Sequence, residues 1–215
     1  MPQSAGNAIA LPAFALLLLA CAPSEQSGDA DGNTAARGDR SVDLSAKLAA
    51  ASRPAEDRER DIGRKPAEVI RVLGITPGMD VIDIMAAGGW YTEVLSIAVG
   101  PDGSVTAMNP PRVLSMREGA NEKALSRRLA GNRLTNVSRL DKDITDIGDH
   151  AERFDAAITA LNLHDIYNRG GDGAAIGMLE AIYNVLKPGG VFGIIDHQGR
   201  PGQDNTVLHR MLKED

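Results

Sequence analysis

The sequence predicts an α/β fold in which a parallel sheet carries helices on both faces. Short apolar runs of strand length alternate with longer segments of helical character between residues 66 and 195. Turn signals such as Gly100-Pro101-Asp102-Gly103 separate these segments. Strands that alternate with helices in this way pair in parallel, because each intervening helix returns the chain to the same end of the sheet.

Five apolar runs are the predicted strands. The first covers residues 81–85 between Pro77-Gly78 and Gly88-Gly89, and it is rich in β-branched residues. Such a run is typical of a strand that is buried on both faces. The other predicted strands are residues 104–108, 136–140, 154–161 and 191–195.

Helices are predicted between these strands. Pro66 suits the first turn of a helix, and Glu68 follows where the helix dipole favours an acid. Apolar residues at helical spacing predict a helix over 174–186, after a glycine-rich loop at 170–173. The remaining predicted helices are residues 90–98, 113–130 and the start of a helix at 205–213.

Composition predicts one globular domain without a nucleic-acid partner. The chain has 215 residues, of which 43% are hydrophobic and 24% are charged, which is enough for one core. Only 3% are aromatic, so the core must be mainly aliphatic. A net charge of −6 does not favour binding to a polyanion. The single cysteine allows no internal disulfide.

Residues 1–21 resemble an export signal. The apolar run 9–20 is too short to span a bilayer but suits the core of a signal peptide. Residues 18–21, Leu-Leu-Ala-Cys, resemble a bacterial lipobox, which predicts that Cys21 is lipidated and anchors an exported protein on the periplasmic side of the cell envelope. Residues 1–8 contain no Lys or Arg, so plain secretion and a chance apolar segment are the alternatives.

The next segment, residues 22–45, is predicted to be a flexible tether that precedes a domain at 46–215. Residues 22–40 have almost no large apolar side chain and cannot bury enough surface to become ordered. Within the domain, residues 53–73 begin with a dense run of charge that Gly63 interrupts. This run is either a solvated face or a lid over a ligand crevice.

The turn after the first predicted strand resembles a known family. Residues 80–93, DVIDIMAAGGWYTE, resemble the first nucleotide-binding motif of class I S-adenosylmethionine (SAM) methyltransferases, with Met85 and Ala87 where that motif has glycine. The Trp-Tyr-Thr-Glu extension is similar to a family of exported bacterial predicted methyltransferases. Residues 186–190, LKPGG, resemble the turn before the fifth strand of class I methyltransferases.

This resemblance implies a Rossmann-like sheet with strand order 3-2-1-4-5, SAM as the methyl donor and a small molecule as the acceptor. It also implies a sixth and a seventh strand, for which the residues after 195 offer no candidate, so the domain is expected to be incomplete at its C-terminus. The apolar run 191–195 would then lie at an exposed sheet edge, which favours a homo-oligomer.

Ligands of an open parallel sheet bind beyond the carboxyl ends of its strands. The resemblance assigns the small and polar residues at those ends to SAM. The turn after the first strand would hold the methionine part, the end of the second strand the ribose, and the end of the third strand the adenine. The implied SAM-binding residues are Asp83, Ala86, Gly88, Gly89, Asn109, Asp143, Ile144 and Asn162.

Methyl transfer to a hydroxyl or thiol benefits from a base that is held close to the acceptor. His164 is the candidate, with Asp165 as its orienting partner and Tyr167 lining the pocket. A structural hydrogen bond is the alternative role for His164. Asp196 and His197 end a neighbouring strand, but no dense ligand motif accompanies them, so no metal is predicted.

Other functions compete with a methyltransferase. A lipid-tethered protein that binds SAM or a nucleoside without turnover would account for the missing glycines and for the export signal. A nicotinamide-dependent oxidoreductase would need G-x-G-x-x-G after the first strand, which is absent. The segment 162–167 is not an Asn-Pro-Pro-Tyr tetrapeptide, which argues against methylation of nucleic-acid bases. Trp90 and Tyr91 are expected either in the core or in the pocket.

Overall fold

The computed structural model describes residues 43–212 and contains one five-stranded parallel sheet. Its order is β3-β2-β1-β4-β5, which confirms the predicted fold class and strand order. The predicted signal peptide, Cys21 and most of the predicted tether lie outside the described residues. The strands are β1 Asp80–Ile84, β2 Ser104–Met108, β3 Val137–Leu140, β4 Phe154–Ala160 and β5 Leu186–Ile195.

The helices follow the predicted alternation but differ in extent. Residues 43–48 are helical, so ordered structure begins before position 46. Within residues 43–212, no helix is both long enough and apolar enough to cross a membrane. The other α-helices are α1 Ala55–Arg64, α2 Pro66–Val72, α3 Trp90–Val99, α4 Pro111–Leu129 and α5 Leu163–Val185.

Three predicted helix boundaries are wrong. The first helix continues through Gly63, and the break falls at Lys65, whose backbone is left-handed at φ 46°. The predicted loop at 170–173 is part of α5, which begins at Leu163, and only Gly171 leaves helical geometry, at φ 64° and ψ −166°. The described part of the predicted helix at 205–213 forms turns, and Gln198 bridges to Met211.

Two apolar layers cover the sheet. Val81 packs with Leu95 of α3 on one face, and Ile82 packs with Ile182 of α5 on the other. Side chains of a strand point alternately to the two faces, so a strand covered on both sides must be apolar at nearly every position. This arrangement explains the continuous apolar run of β1 and places its carboxyl end in the middle of the sheet.

The LKPGG segment is a bulge inside β5 and not a turn before it. Phe154 pairs with Leu186, and Ala156 pairs with Val191, so residues 187–190 lie opposite Asp155 alone. Lys187 closes the bulge with an ion pair to Asp155 at 2.9 Å. Beyond the bulge, β5 forms the outer edge of the sheet.

Candidate active site

The turn after β1 has the left-handed backbone that is typical of a glycine-rich loop, although two of its left-handed residues are not glycine. Met85, Ala87 and Gly89 are all left-handed, at φ 56°, 50° and 79°. Asn109 fixes this turn, because its Oδ1 accepts a hydrogen bond from Ala87 N at 2.7 Å and its Nδ2 donates to Ala87 O at 3.3 Å. Asn109 is fully buried. Its predicted direct contact with a ribose therefore does not fit, since its side chain is engaged in holding the turn.

A cavity of about 780 Å³ opens at the carboxyl ends of β1 and β4. Residues 85–88 form one wall, and residues 160–162 form another. The convergence of these two loops is what the predicted sheet topology requires. The volume lies within the range of small-molecule sites.

Asp83 lines this cavity from the end of β1 and is almost fully buried. Its Oδ2 accepts a hydrogen bond from Thr92 Oγ1 at 2.6 Å. Burial raises the pKa of the Asp83 carboxyl to about 7, and the bonds from Thr92 oppose that rise only in part. A carboxylate in such surroundings gains from a cationic ligand, which would restore the solvation that burial removes.

The predicted site residues divide into two groups. Asp83, Ala86, Gly88, Asn162 and Asp165 line the cavity. The lining does not include the other predicted residues, which are Gly89, Asn109, Asp143, Ile144, His164 and Tyr167.

Several of the predicted residues outside the lining have other positions in the fold, at a helix start, on the surface or in an apolar layer. Gly89 caps the start of α3, and a Cβ there would lie 2.8 Å from Leu125 Cδ1, so its small size serves the packing of α4. Asp143 is exposed, and Ile144 packs against the apolar layer that contains Ile84. The predicted contacts of Asp143 and Ile144 with adenine therefore find no support in the cavity geometry.

His164 is buried at the start of α5 and is oriented by a different residue from the one predicted. Its Nδ1 lies 2.5 Å from Asp196 Oδ1, and its backbone N donates to Asp196 Oδ2 at 3.0 Å. Asp165, the predicted partner, lies on the other side of the ring, with Oδ1 at 3.8 Å from His164 Nε2. The feature of the sequence that could have indicated Asp196 is its position directly after β5, the strand that lies next to β4.

Arginines dominate the charge of the cavity. Only two acidic residues, Asp83 and Asp165, share the lining with them. Within residues 43–212, the ion pairs engage Arg128 and Arg169 but none of the other four. Burial and the neighbouring Arg60 lower the pKa of Arg64. The lining arginines are Arg60, Arg64, Arg112, Arg117, Arg128 and Arg169.

The charged run before α2 is therefore partly a cover of the cavity and partly solvated. Arg60 and Arg64 of α1 reach the lining, while Glu56 and Glu59 are exposed. Arg64 lies over the ring of Trp90 at 4.8 Å, in a cation–π contact. One face of the run therefore contributes side chains to the cavity lining, and the other face is exposed to solvent.

A buried ion-pair network fixes α1 against α3 and α4. Arg128 pairs with Asp57 at 2.6 Å and also with Glu93, and Arg133 pairs with Glu93 at 2.6 Å. Although burial acts to raise the pKa of Glu93, its bonds from Arg133 and the charge of Arg128 lower it. Glu93 thus serves packing. Nothing in the local sequence indicates this role for Arg128, because its partners Asp57 and Glu93 lie 71 and 35 positions away.

Trp90 and Tyr91 combine the two predicted roles. Both are buried, with 4% and 5% of their surface exposed, and both line the cavity. Their rings meet edge to face with centroids 4.6 Å apart. Burial raises the pKa of Tyr91 to about 12.

Solved structures share this fold. A SAM-dependent methyltransferase from Aquifex aeolicus has a TM-score of 0.55 at 22% identity, over 68% of this chain and 72% of that one. A protein from Bacillus halodurans assigned as a methyltransferase has a TM-score of 0.51 at 19% identity, over 67% and 55%. One from Galdieria sulphuraria assigned as a sarcosine dimethylglycine methyltransferase has 0.52 at 17%, over 71% and 53%.

These likenesses establish the class I methyltransferase fold for this chain. The matched region spans only about half the length of the two latter proteins. No family model matches the chain. No curated protein matches it either.

Proposed function

We propose that this protein binds SAM and transfers its methyl group to a small anionic molecule. The observation that carries the proposal is the cavity at the end of β1, where the left-handed turn 85–89 and the buried Asp83 carboxylate come together. In open α/β sheets this position is the usual ligand crevice. SAM carries a sulfonium and an ammonium group, and Asp83 offers the opposite charge to them.

The turn would let SAM approach the backbone closely. Within it, the N–H groups of Ala86, Ala87 and Gly89 already donate to Met108 O, Asn109 Oδ1 and Ala86 O, which leaves the N–H of Gly88 for a ligand. Ala86, Ala87 and Gly88 have small side chains and line the cavity. A Cβ at Gly88 would lie 2.9 Å from Ala124 Cβ, so a larger residue there would push α4 outward. Close approach of a ligand to backbone N–H groups near the start of a helix, here α3, is a general mode of binding.

Arginines support an anionic acceptor. Arg60, Arg64, Arg112 and Arg117 bring four positive charges to the lining, and within residues 43–212 no ion pair offsets them. A carboxylate or phosphate would be bound by such groups through charge-assisted hydrogen bonds. An anion would also shield the SAM sulfonium from these arginines.

Methyl transfer requires the acceptor nucleophile, the methyl carbon and the sulfonium sulfur to be aligned. The nucleophile forms its bond to the methyl carbon as the carbon–sulfur bond breaks, and a hydroxyl acceptor must lose its proton. Of the predicted catalytic residues, Asp165 lines the cavity, which supports a role for its carboxylate as the group that takes that proton. His164 and Tyr167 do not line the cavity, and they would affect the transfer only indirectly, through Asp165.

Binding and turnover are tested separately. Calorimetry of the full-length chain with SAM and with S-adenosylhomocysteine measures binding, and transfer from labelled SAM to a panel of small carboxylates and phosphates measures turnover. We expect saturable binding and label in an anionic product. Binding without label in any product would favour the tethered binding protein, and no binding would refute the proposal.

The acceptor charge is tested at α4. In Arg112→Ala and Arg117→Ala, we expect the KM for the anionic acceptor to rise about tenfold, since one hydrogen bond to a charged group contributes about 1.5–3 kcal/mol. Arg127→Ala, in the helical segment of α4 that follows the break at residues 116–119, lies outside the lining and is the matched control. A rise in the KM for SAM alone would instead assign these arginines to the SAM carboxylate.

Export and lipid anchoring are part of the same proposal. The lipobox-like residues 18–21 support a mature N-terminus at Cys21. Mass spectrometry of the N-terminal peptide from the native membrane fraction tests it, with a diacylated or triacylated Cys21 as the expected result. An unmodified Met1 in cells would contradict export.

A further inference from the structure

We propose that His164, Asp165 and His209 form a binding site for one divalent transition-metal ion, with Zn²⁺ as the test case. Each of the three side chains offers one ligand atom, and these atoms all lie within 4.8 Å of one another. Asp165 Oδ1 lies 3.8 Å from His164 Nε2 and 3.3 Å from His209 Nδ1.

These separations suit a single ion. Zinc bonds of about 2.0–2.2 Å at tetrahedral angles place two ligand atoms about 3.4 Å apart. Both distances from Asp165 are close to that value. The separation between the two imidazole nitrogens is at most 4.8 Å, so the rings would move closer together on binding the ion. Imidazole nitrogen and carboxylate oxygen are also ligands that zinc accepts, whereas magnesium and calcium prefer oxygen alone.

The surroundings of His164 supply a second, independent observation. Asp196 holds the His164 Nδ1 at 2.5 Å, and the side chain of Asp196 is only 7% exposed. A carboxylate at Nδ1 favours the tautomer that carries its proton on that nitrogen, in which Nε2, 3.8 Å from Asp165 Oδ1, is the nitrogen that can bind a metal. Ligating histidines in metal sites are oriented by just this kind of carboxylate partner.

His209 is brought to the site by the segment that follows β5. Its backbone is left-handed at φ 51°, which is unfavourable for a residue other than glycine. Asn168 of α5 holds the segment, because its Nδ2 donates to Arg210 O at 3.1 Å. The His209 ring meets the ring of His164 edge to face at 5.8 Å.

The site is open on one side. The His209 side chain is 65% exposed, and three protein ligands leave at least one position of a tetrahedral ion for water or a ligand. Sequence analysis considered His197 and missed His209, because nothing in the chain spacing shows that the turn at 205–209 folds back over α5. The inference does not depend on SAM binding, although Asp165 also lines the cavity.

Metal binding is measured on the untagged full-length chain with Cys21→Ser, which removes its only thiol. Titration with Zn²⁺ by calorimetry and with Co²⁺ by visible absorption should give one ion per chain. We expect His209→Ala and Asp165→Asn each to weaken Zn²⁺ binding about 100-fold. Asp196→Asn should weaken it about 10–100-fold, as other supporting carboxylates do.

His197→Ala is the matched control, because His197 is exposed in the same part of the chain but lies outside the cluster. It should leave Zn²⁺ affinity unchanged. Circular dichroism melting checks that each variant folds, and His209→Gln replaces any alanine variant that does not. Absence of a stoichiometric ion, or Zn²⁺ affinity in His209→Ala and Asp165→Asn that equals the affinity of the parent, would show that hydrogen bonds alone hold this cluster and would overturn the proposal.

Loss of metal binding is separable from loss of the proposed methyltransferase function. His209 lies outside the cavity lining, so His209→Ala should retain SAM affinity while losing Zn²⁺ affinity. Asp83→Asn should do the opposite. Parallel loss of both ligands in both variants would contradict two distinct sites.

Discussion

The two halves of the sheet form opposite walls of one cavity, but they are held in different ways. On the β1–β2 side, the buried Asn109 fixes the turn and the buried Glu93 joins α3 to α4 through Arg128. On the β4–β5 side, α5 breaks at Gly171 and β5 bulges at 187–190. The first half is therefore held by buried side chains that join several elements, although α4 there leaves helical geometry at residues 116–119. The second half has the buried His164–Asp196 pair and an irregular edge strand.

This difference suits a division of roles under the proposed function. A cofactor of fixed shape favours a preorganised wall, because residues that are already ordered lose no further conformational entropy on binding. The second half carries Asp165 and the neighbouring His164, where an acceptor would bind. Its edge strand β5 also exposes 42% of Val191 and 44% of Ile194, so apolar side chains of this strand are open to contacts.

The largest expected effect is the loss of the buried network in the first half. Glu93→Ala leaves Arg128 and Arg133 without their shared carboxylate, and breaking a buried pair in this way costs about 3–5 kcal/mol in the free energy of unfolding. Urea denaturation measures it. Because the folded-state pKa of Glu93 is lowered, its contribution is present above the unfolded-state pKa and is lost as the pH falls below it.

A matched control comes from an exposed pair. Glu122 binds Arg139 at 2.6 Å on the surface of α4, where solvent weakens the attraction. We expect Glu122→Ala to leave the free energy of unfolding nearly unchanged. Equal effects of the two variants would contradict a special role for the buried network.

The second prediction concerns Asp83 and pH. A carboxyl with a pKa of about 7 is ionised at pH 8 and protonated at pH 5. Attraction to a cationic ligand is therefore lost as the pH falls, and SAM affinity should decrease by up to about tenfold per pH unit below 7. Calorimetry from pH 8 to pH 5 measures it. Asp83→Asn should lack this dependence. Dividing the SAM affinity of the parent by that of Asp83→Asn at each pH cancels any effect that comes from the titration of SAM itself.

The free energy of unfolding should change with pH in the opposite direction to the SAM affinity. The folded-state pKa of Asp83 lies above the ordinary value of 3.8 for an aspartate, so ionisation in the fold becomes costly as the pH rises from about 4 to 7. Above pH 7 this cost is constant, on the order of 4 kcal/mol. Asp83→Asn should therefore melt at a higher temperature than the parent at pH 8. A variant that is less stable at pH 8 and binds SAM normally would contradict the burial argument.

The third prediction concerns the open edge of the second half. We expect the chain to self-associate through β5, because burying one Val or Ile side chain contributes about 1.5–3 kcal/mol. Val191→Lys should raise the dissociation constant of the dimer about tenfold or more, as measured by light scattering over a concentration series. Val207→Lys is the control, since Val207 is 71% exposed but lies outside the sheet. A monomeric parent at every concentration would show that this edge is tolerated.

Sequence reasoning predicted the first half of the molecule better than the second. The strand order and the turn after β1 follow from local patterns, because β-branched runs and small residues are sufficient to indicate them. The extent of α5 was missed, because glycines at 170–173 indicate a break, while the packing of the helix on the sheet tolerates it. The last turns, at 205–209, depend on long-range bonds that no local pattern shows.

The site shows the same limit at the level of single residues. Asp83 and Gly88 line the cavity as predicted, because their places are set by β1 and its turn. Asn109 was predicted to contact the ribose, but its side-chain amide forms a hydrogen bond with the backbone of Ala87, 22 positions away in sequence. The pairing of His164 with Asp196 spans 32 positions and could be inferred only once β4 and β5 were known to be neighbours.

The smallest effect tests whether the turn after β1 is strained. Ala87 is left-handed at φ 50°, which costs an L-residue about 1–2 kcal/mol, while glycine adopts it freely. Part of that gain is offset by the greater freedom of glycine in the unfolded chain, so Ala87→Gly should stabilise the fold by about 0.5–1 kcal/mol. Thermal and urea unfolding measure the change.

Ala98→Gly provides the comparison of opposite sign. Ala98 lies in the regular helix α3, where replacing alanine by glycine costs about 0.5–1 kcal/mol. The same chemical change should therefore stabilise one position and destabilise the other. If both variants lose stability equally, the turn is not left-handed at Ala87, and the preorganised wall that distinguishes the first half of the sheet loses its main support.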